Sequence, residues 1–285
     1  MKEFAGRVAA ITGAGSGIGR ALARNLAGRG CHLALSDIDE LGLAETVEQC
    51  RDSGVTITSQ RVDVADRASV FEWADRVVAE HGRVNLIFNN AGVALVATVD
   101  AMSYEDFEWL MNINFWGVVH GTKAFLPHLV ASGEGHIVNV SSVFGLVSIP
   151  SQSAYNSAKF AVRGFTDALR MELEIEGAPV SATTIHPGGI KTNIARRARV
   201  DASAAVVAGE DVAGSFDKAA LTSPERAARQ ILAAVAGNRR RALIGPDAKL
   251  IDLLSRAPGA LYQRALVRGA TRRSTPTTRG SSTPG

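Results

Sequence analysis

Tyr155 and Lys159 stand four residues apart in a stretch that reads as helical from about 153 to 176, so both side chains fall on one helix face. A tyrosine so placed can exchange a proton with a bound oxygen. Drawing its pKa from about 10 to near neutrality takes roughly 3 units, or about 4 kcal/mol, which one ammonium about 4 Å away supplies at an effective dielectric near 20. Burial opposes the shift, so a further positive charge is expected to assist. Taken alone, this spacing also describes ordinary surface pairs. Ser142, thirteen residues before Tyr155, closes the run Ile137-Val138-Asn139-Val140-Ser141-Ser142, and its hydroxyl can hydrogen-bond the same reacting oxygen. Ser141 is the weaker choice, and either serine can simply cap the turn. A phenol, an ammonium and a hydroxyl in this order suit proton transfer at an alcohol or carbonyl.

A second constellation lies near the N-terminus. Thr12-Gly13-Ala14-Gly15-Ser16-Gly17-Ile18-Gly19 follows the apolar run from Val8 to Ile11 and precedes a helical pattern starting near Gly17. Glycines there let the backbone turn tightly and approach a pyrophosphate, whose charge meets the amides and the positive dipole end of the helix. A glycine-rich turn alone is a weak signal; a strand before it and a helix after it give it meaning. Eighteen residues after Gly19, Asp37 ends the second strand, where a carboxylate can accept hydrogen bonds from adenosine ribose hydroxyls and repel a 2′-phosphate. NAD is therefore expected, with NADP disfavoured by tenfold or more, since charges about 4 Å apart are worth on the order of 1 to 4 kcal/mol. Neither Ser16 nor Ile38 offers a phosphate a positive charge. The competing role for Asp37, capping the next helix, can be filled by Asp39 or Ser36.

The elements that must hold these residues follow from periodicity. Short apolar or β-branched runs at 7–12, 31–36, 55–61, 84–88, 135–140, 180–185 and 241–244 alternate with helical patterns. Seven strands alternating with helices predict an α/β fold, a single-domain doubly wound (Rossmann) parallel sheet with helices on both faces, spanning residues 1–268. Ligands in such sheets bind at the carboxyl ends of the strands, where Ser142, Asp37 and the glycine turn fall. Between 191 and 221 the pattern weakens into small and charged residues, which reads as a substrate loop or lid, with a surface helix pair as the alternative; a helix then starts near Ser223-Pro224. Residues 269–285, rich in Thr, Ser, Gly, Pro and Arg, are expected to be disordered.

Composition narrows the classes. The net charge is +3, and the tail carries Arg272, Arg273 and Arg279 with no acid, so the body is neutral and lacks the footprint of nucleic-acid binding. Cys31 and Cys50 show neither metal-ligand spacing nor a disulfide framework, and no metal is expected. His186, alone at a strand end, reads as packed or hydrogen-bonded. With no apolar run of membrane-spanning length and no cleavable signal pattern, the expected compartment is cytoplasmic.

The glycine pattern, Asp63-Val64 after the third strand and Asn89-Asn90-Ala91-Gly92 after the fourth resemble the short-chain dehydrogenase/reductase family over about residues 6 to 193. The resemblance implies that Gly13, Ser16, Gly17, Ile18, Gly19 and Asp37 hold the cofactor. It implies that Asp63 and Val64 border the adenine, that Asn90, Ala91 and Gly92 shape the cleft, and that Pro187, Gly188, Ile190 and Thr192 hold the nicotinamide carboxamide. Ser142 then steadies the substrate oxygen, Tyr155 exchanges the proton, and Lys159 lowers the pKa of Tyr155 and holds the nicotinamide ribose. An oxidised nicotinamide supplies the further positive charge. Asn114, in Asn112-Ile113-Asn114-Phe115, matches the asparagine that seats a water in the proton relay. The implied activity is hydride transfer between NAD(H) and a hydrophobic secondary alcohol or ketone, in a homodimer or homotetramer built on the helices containing Asn114 and Tyr155. Enoyl reductases of this fold space their tyrosine and lysine further apart, and sugar-nucleotide epimerases carry a different glycine motif. A catalytically silent NAD-binding sensor or scaffold is the alternative from another class, and the intact Asn114, Ser142, Tyr155, Lys159 set argues against it. The helical extension 247–268, with Leu250, Ile251, Leu253, Leu254, Leu261, Tyr262 and Leu266, departs from shorter family members and is expected to pack on its own domain or on a second subunit. Pro258 breaks the continuous helix a membrane surface would want.

Overall fold

The computed structural model describes residues 1–201, 214, 220–256, 261–264 and 267. The seven runs form one parallel sheet: β1 (Val8–Thr12), β2 (His32–Asp37), β3 (Ile57–Arg61), β4 (Leu86–Asn89), β6 (Gly135–Val140), β7 (Val180–Pro187) and β9 (Arg241–Ile244), in the order β3-β2-β1-β4-β6-β7-β9. The order reverses between β1 and β4, so a crevice opens at their carboxyl ends. Two further strands, β5 (Leu95–Val96) and β8 (Arg199–Val200), pair parallel outside this sheet.

The inner strands are buried on both faces, which is why they read as unbroken apolar runs; all residues of β1 and β6 are buried. Alternate side chains serve two layers. Ile11, Leu33 and Leu35 pack with Leu22 and Leu26 of α1 (Gly17–Ala27), Leu43 of α2 (Glu40–Cys50) and Ile231 of α7 (Pro224–Ala236). Ala10, Ala34 and Ile137 pack against Trp73 of α3 (Arg67–His81), Phe125 of α5 (Gly117–Ala131) and Leu169 of α6 (Ser153–Ile175). Helix boundaries follow local chemistry. Asp66 caps α3 through Ala68 N–H, Gly82 ends it at φ +72°, and Ser223 caps α7 with Pro224 in its first turn. Helix α4 (Tyr104–Met111) runs into α5 through a π-helical turn at Asn112–Trp116.

Helix α8 (Pro246–Ser255) buries Ala248 and Asp252 but leaves Leu250, Leu253 and Leu254 exposed among the described residues, which, of the two expected packings, leaves the one on a second subunit for these leucines. No helix among the described residues is long and apolar enough to cross a membrane. The expected disordered tail at 269–285 lies outside the described residues, as do Leu266 and most of the 191–221 loop.

Candidate active site

Tyr155 and Lys159 lie on the first turns of α6, which bring them to the carboxyl edges of β4 and β6. The Lys159 ammonium sits 5.5 Å from the centre of the Tyr155 ring and donates to Val140 O at 3.0 Å. Lys159 is buried and Tyr155 half-buried, and their charged forms are disfavoured accordingly: desolvation pushes the phenol up to about 12, against a lowering contribution from a side-chain hydrogen bond with Ser142, and pushes the ammonium down to about 8. Desolvation is therefore the largest influence on the phenol, and the hydrogen bond with Ser142 opposes it. Ser142 Oγ also accepts from Phe144 N–H at 3.1 Å, so it caps the turn at 143–145 while facing the phenol. The Ser141 hydroxyl is spent on Lys159 O at 2.8 Å, which leaves Ser142 as the serine of the pair that meets Tyr155.

Asn114 lies in the π turn, fully buried, and both ends of its amide are taken by Val93: Oδ1 accepts from Val93 N–H and Nδ2 donates to Val93 O, each at 2.8 Å. Gly92 completes the group, since a Cβ there would lie 3.2 Å from Asn114 Oδ1 and 3.6 Å from Lys159 Nζ. His186 is buried, donates from Nδ1 to Ser142 O at 2.8 Å and has its pKa pushed by burial down to about 4, as expected of a packed histidine.

The glycine turn is as tight as its sequence implies. Gly13 and Gly17 take φ +67° and +52°, and a Cβ on Gly19 would stand 2.1 Å from Gly13 O, which no side chain tolerates. Ser16 precedes α1 without a side-chain cap, and the first turn holds no acid, so its amides suit an anion. Ile18 packs on the core. Thr12 locks the turn to the next crevice wall: its hydroxyl accepts from Asn90 and Ala91 N–H, each at 3.0 Å, while Asn90 Nδ2 donates to Thr12 O at 2.9 Å. Asp37 ends β2 with Oδ2 accepting from Gly15 N–H at 2.8 Å and Oδ1 from Asp39 N–H at 3.0 Å. Asp39, not Asp37, caps α2. Asp63 is exposed and Val64 buried at the end of β3, Val64 packing closely on Gly117. Thr192 reaches across to Gly17, and Ile190 is buried beneath the segment from Pro187.

Several participants escaped the sequence reading. Arg20 bonds Gly15 O, Gly42 O, Thr46 and Glu45, and Arg197 bridges to Asp39 at 3.1 Å, so two cations flank Asp37, each engaged by a carboxylate. Arg199 bonds Asp106 at 2.7 Å and stacks 3.7 Å from the centre of the Trp109 ring. With the β5–β8 pairing, these contacts carry residues 197–201 across the crevice toward Ala94 and Val96. Nothing local in the sequence signals such long-range pairs.

The sequence profile of the short chain dehydrogenase family matches residues 7–203. SadH of Mycobacterium tuberculosis, described as an oxidoreductase, is 52% identical over 273 residues, covering 94% of this chain and 97% of SadH. Among solved structures, a short chain dehydrogenase/reductase from Burkholderia phymatum in complex with NAD superposes with a TM-score of 0.83 at 34% identity, covering 89% of this chain and 94% of that one. Carveol dehydrogenase from Mycobacterium avium in complex with NAD superposes at 0.71 with 26% identity, over 81% and 91%.

Proposed function

The chain is an oxidoreductase of the short-chain dehydrogenase/reductase family, and from that premise we propose that it moves a hydride between NAD(H) and a hydrophobic secondary alcohol or ketone, with Tyr155 exchanging the proton. The observation that carries the reading is the gathering of Tyr155, Ser142, Lys159, Gly92 and Asn114 at one crevice of the sheet, beside the glycine turn. Glycines whose Cβ positions are filled by neighbouring backbone and an α1 N-terminus without an acid fit a dinucleotide there. Gly13, Ser16, Gly17, Ile18 and Gly19 would face its pyrophosphate, Asp37 its adenosine ribose, and Asp63 and Val64 its adenine. Asn90, Ala91 and Gly92 would line the middle, and Pro187, Gly188, Ile190 and Thr192 the nicotinamide end.

When bound, an oxidised nicotinamide accepts the hydride, and its positive charge adds to that of Lys159 in lowering the phenol's pKa. Tyr155 then takes the alcohol proton as phenolate, or gives it as phenol in the reverse direction, while Ser142 holds the substrate oxygen. The preference for NAD rests on Asp37 standing at the end of β2 with both flanking arginines already paired to Glu45 and Asp39. The apolar substrate class is supported by the cluster of Leu95, Ala97, Leu110 and Ala154 on which Tyr155 packs, and by the carveol dehydrogenase likeness. Phe160, Met171 and Ile175, 39%, 53% and 85% exposed on one flank of α6 with Gly164 and Ala168 between them, suit a second copy in a homodimer or homotetramer, which sedimentation equilibrium tests.

Titration with NADH and NADPH by fluorescence, with turnover across a panel of secondary alcohols, checks the reading. Tight NADH binding, relaxed toward NADPH by Asp37→Ala, and turnover reduced at least about a thousandfold by Tyr155→Phe are the expected results. Preference for NADPH in the unaltered protein overturns the cofactor assignment.

A further inference from the structure

The segment 187–192, assigned above to the nicotinamide end, hangs from three supports. Gly188 N–H donates to Ile244 O at 3.0 Å, where β7 pairs with β9. On the other side Thr222 N–H donates to Gly189 O at 3.2 Å and Lys191 N–H to Thr222 O at 2.9 Å. These are main-chain bonds that any sequence could make. The third support is a side chain: Asp247, in the first turn of α8, accepts Gly189 N–H on Oδ2 at 2.6 Å.

The carboxylate is pressed against the loop. A Cβ on Gly188 would lie 2.1 to 2.6 Å from all three carboxyl atoms of Asp247, so glycine at 188 is what admits it. Gly245, at φ +99°, turns the chain so that α8 begins beneath the loop, and a Cβ there would meet Asp247 Oδ1 at 2.6 Å and Thr222 Oγ1 at 2.9 Å. Both of those oxygens are buried without a hydrogen-bond partner among the described residues. Leaving a carboxylate oxygen in that state costs stability, so Asp247 is a poor staple for the fold, and what it gains is the placement of Gly189.

We infer that Asp247 is a positioning residue for the cofactor: its charge-assisted hydrogen bond to Gly189 fixes the loop that orients the nicotinamide toward Tyr155. The inference rests on the dinucleotide reading of the crevice. ADP-ribose separates the two, because it carries every part of the dinucleotide except the nicotinamide.

Binding of NADH and of ADP-ribose is measured by calorimetry for the unaltered protein, Asp247→Ala and Asp247→Asn. Asp247→Ala is expected to weaken NADH about 10- to 100-fold, the size of a lost hydrogen bond to a charged group, and to leave ADP-ribose within about twofold. Asp247→Asn, which keeps an acceptor without the charge and preserves the shape if the alanine variant folds poorly, is expected to fall between. Equal weakening of both ligands, or no weakening of NADH, overturns the positioning role. If the unaltered protein binds neither ligand, the dinucleotide reading itself fails.

Discussion

Burial acts on Tyr155 and Lys159 in opposite senses, raising one pKa and lowering the other, so the two groups sit in a site that disfavours charge on either. The ammonium is then worth most where a phenolate must form, since an opposite charge a few ångströms away in a poorly screened site shifts a pKa by ~1–3 units. Lys159→Met is expected to move the rising limb of the pH profile for alcohol oxidation upward by ~1–3 units, because deprotonation of Tyr155 loses its partner. An unmoved limb, with only a weaker KM for NAD, would confine Lys159 to ribose binding. The pair and Ser142 were legible because helix spacing and a strand end are local facts. Asp247, Arg20, Arg197 and Thr12 were not, since each acts across at least five residues and up to 158 in sequence, and only the fold says what they meet.

Elements carry the cofactor cradle, and the β1–α1 turn is one whose geometry a single methyl disrupts. At Gly19 the added carbon would stand 2.1 Å from Gly13 O, within main chain that is itself locked to Asn90 and Ala91. Gly19→Ala is expected to destabilise the protein by about 1–3 kcal/mol in urea unfolding and to weaken NADH at least about tenfold, because the turn must open to relieve the clash. Gly54→Ala is the control: its φ of +71° carries strain but nothing lies within 4 Å, so it costs about 1 kcal/mol and leaves NADH binding alone. NADH binding indifferent to Gly19→Ala would remove this turn from the cofactor site. The seven long strands were readable because apolar or β-branched runs of four to eight residues leave a periodic trace. The two-residue strands β5 and β8 and the π turn around Asn114 leave none, since neither spans a full period and their backbone is set by tertiary contacts.

At the scale of the whole molecule, the inner strands bury two histidines as well as aliphatic side chains. His136 of β6 shares a hydrogen bond of 2.8 Å with Thr183, and burial pushes it down to about 3; His186 of β7 is pushed down to about 4. Both pKa values are depressed below the unfolded value near 6.5, so the unfolded chain binds protons that the native state refuses. Their stability contribution is complete above pH 6.5 and is lost progressively as pH falls through that value toward 4 for His186 and 3 for His136. At pH 5 the deficit is about 2 kcal/mol for each histidine, or about 4 kcal/mol for the two, a large share of the roughly 5–15 kcal/mol that holds a domain folded. Urea midpoints measured at pH 7.5 and pH 5 are expected to differ accordingly, and His136→Gln or His186→Gln to shrink the difference by about half each relative to its own value at pH 7.5. A midpoint unchanged between the two pH values would mean that the native state accepts these protons, and that the two strands open locally to solvent well before the molecule unfolds.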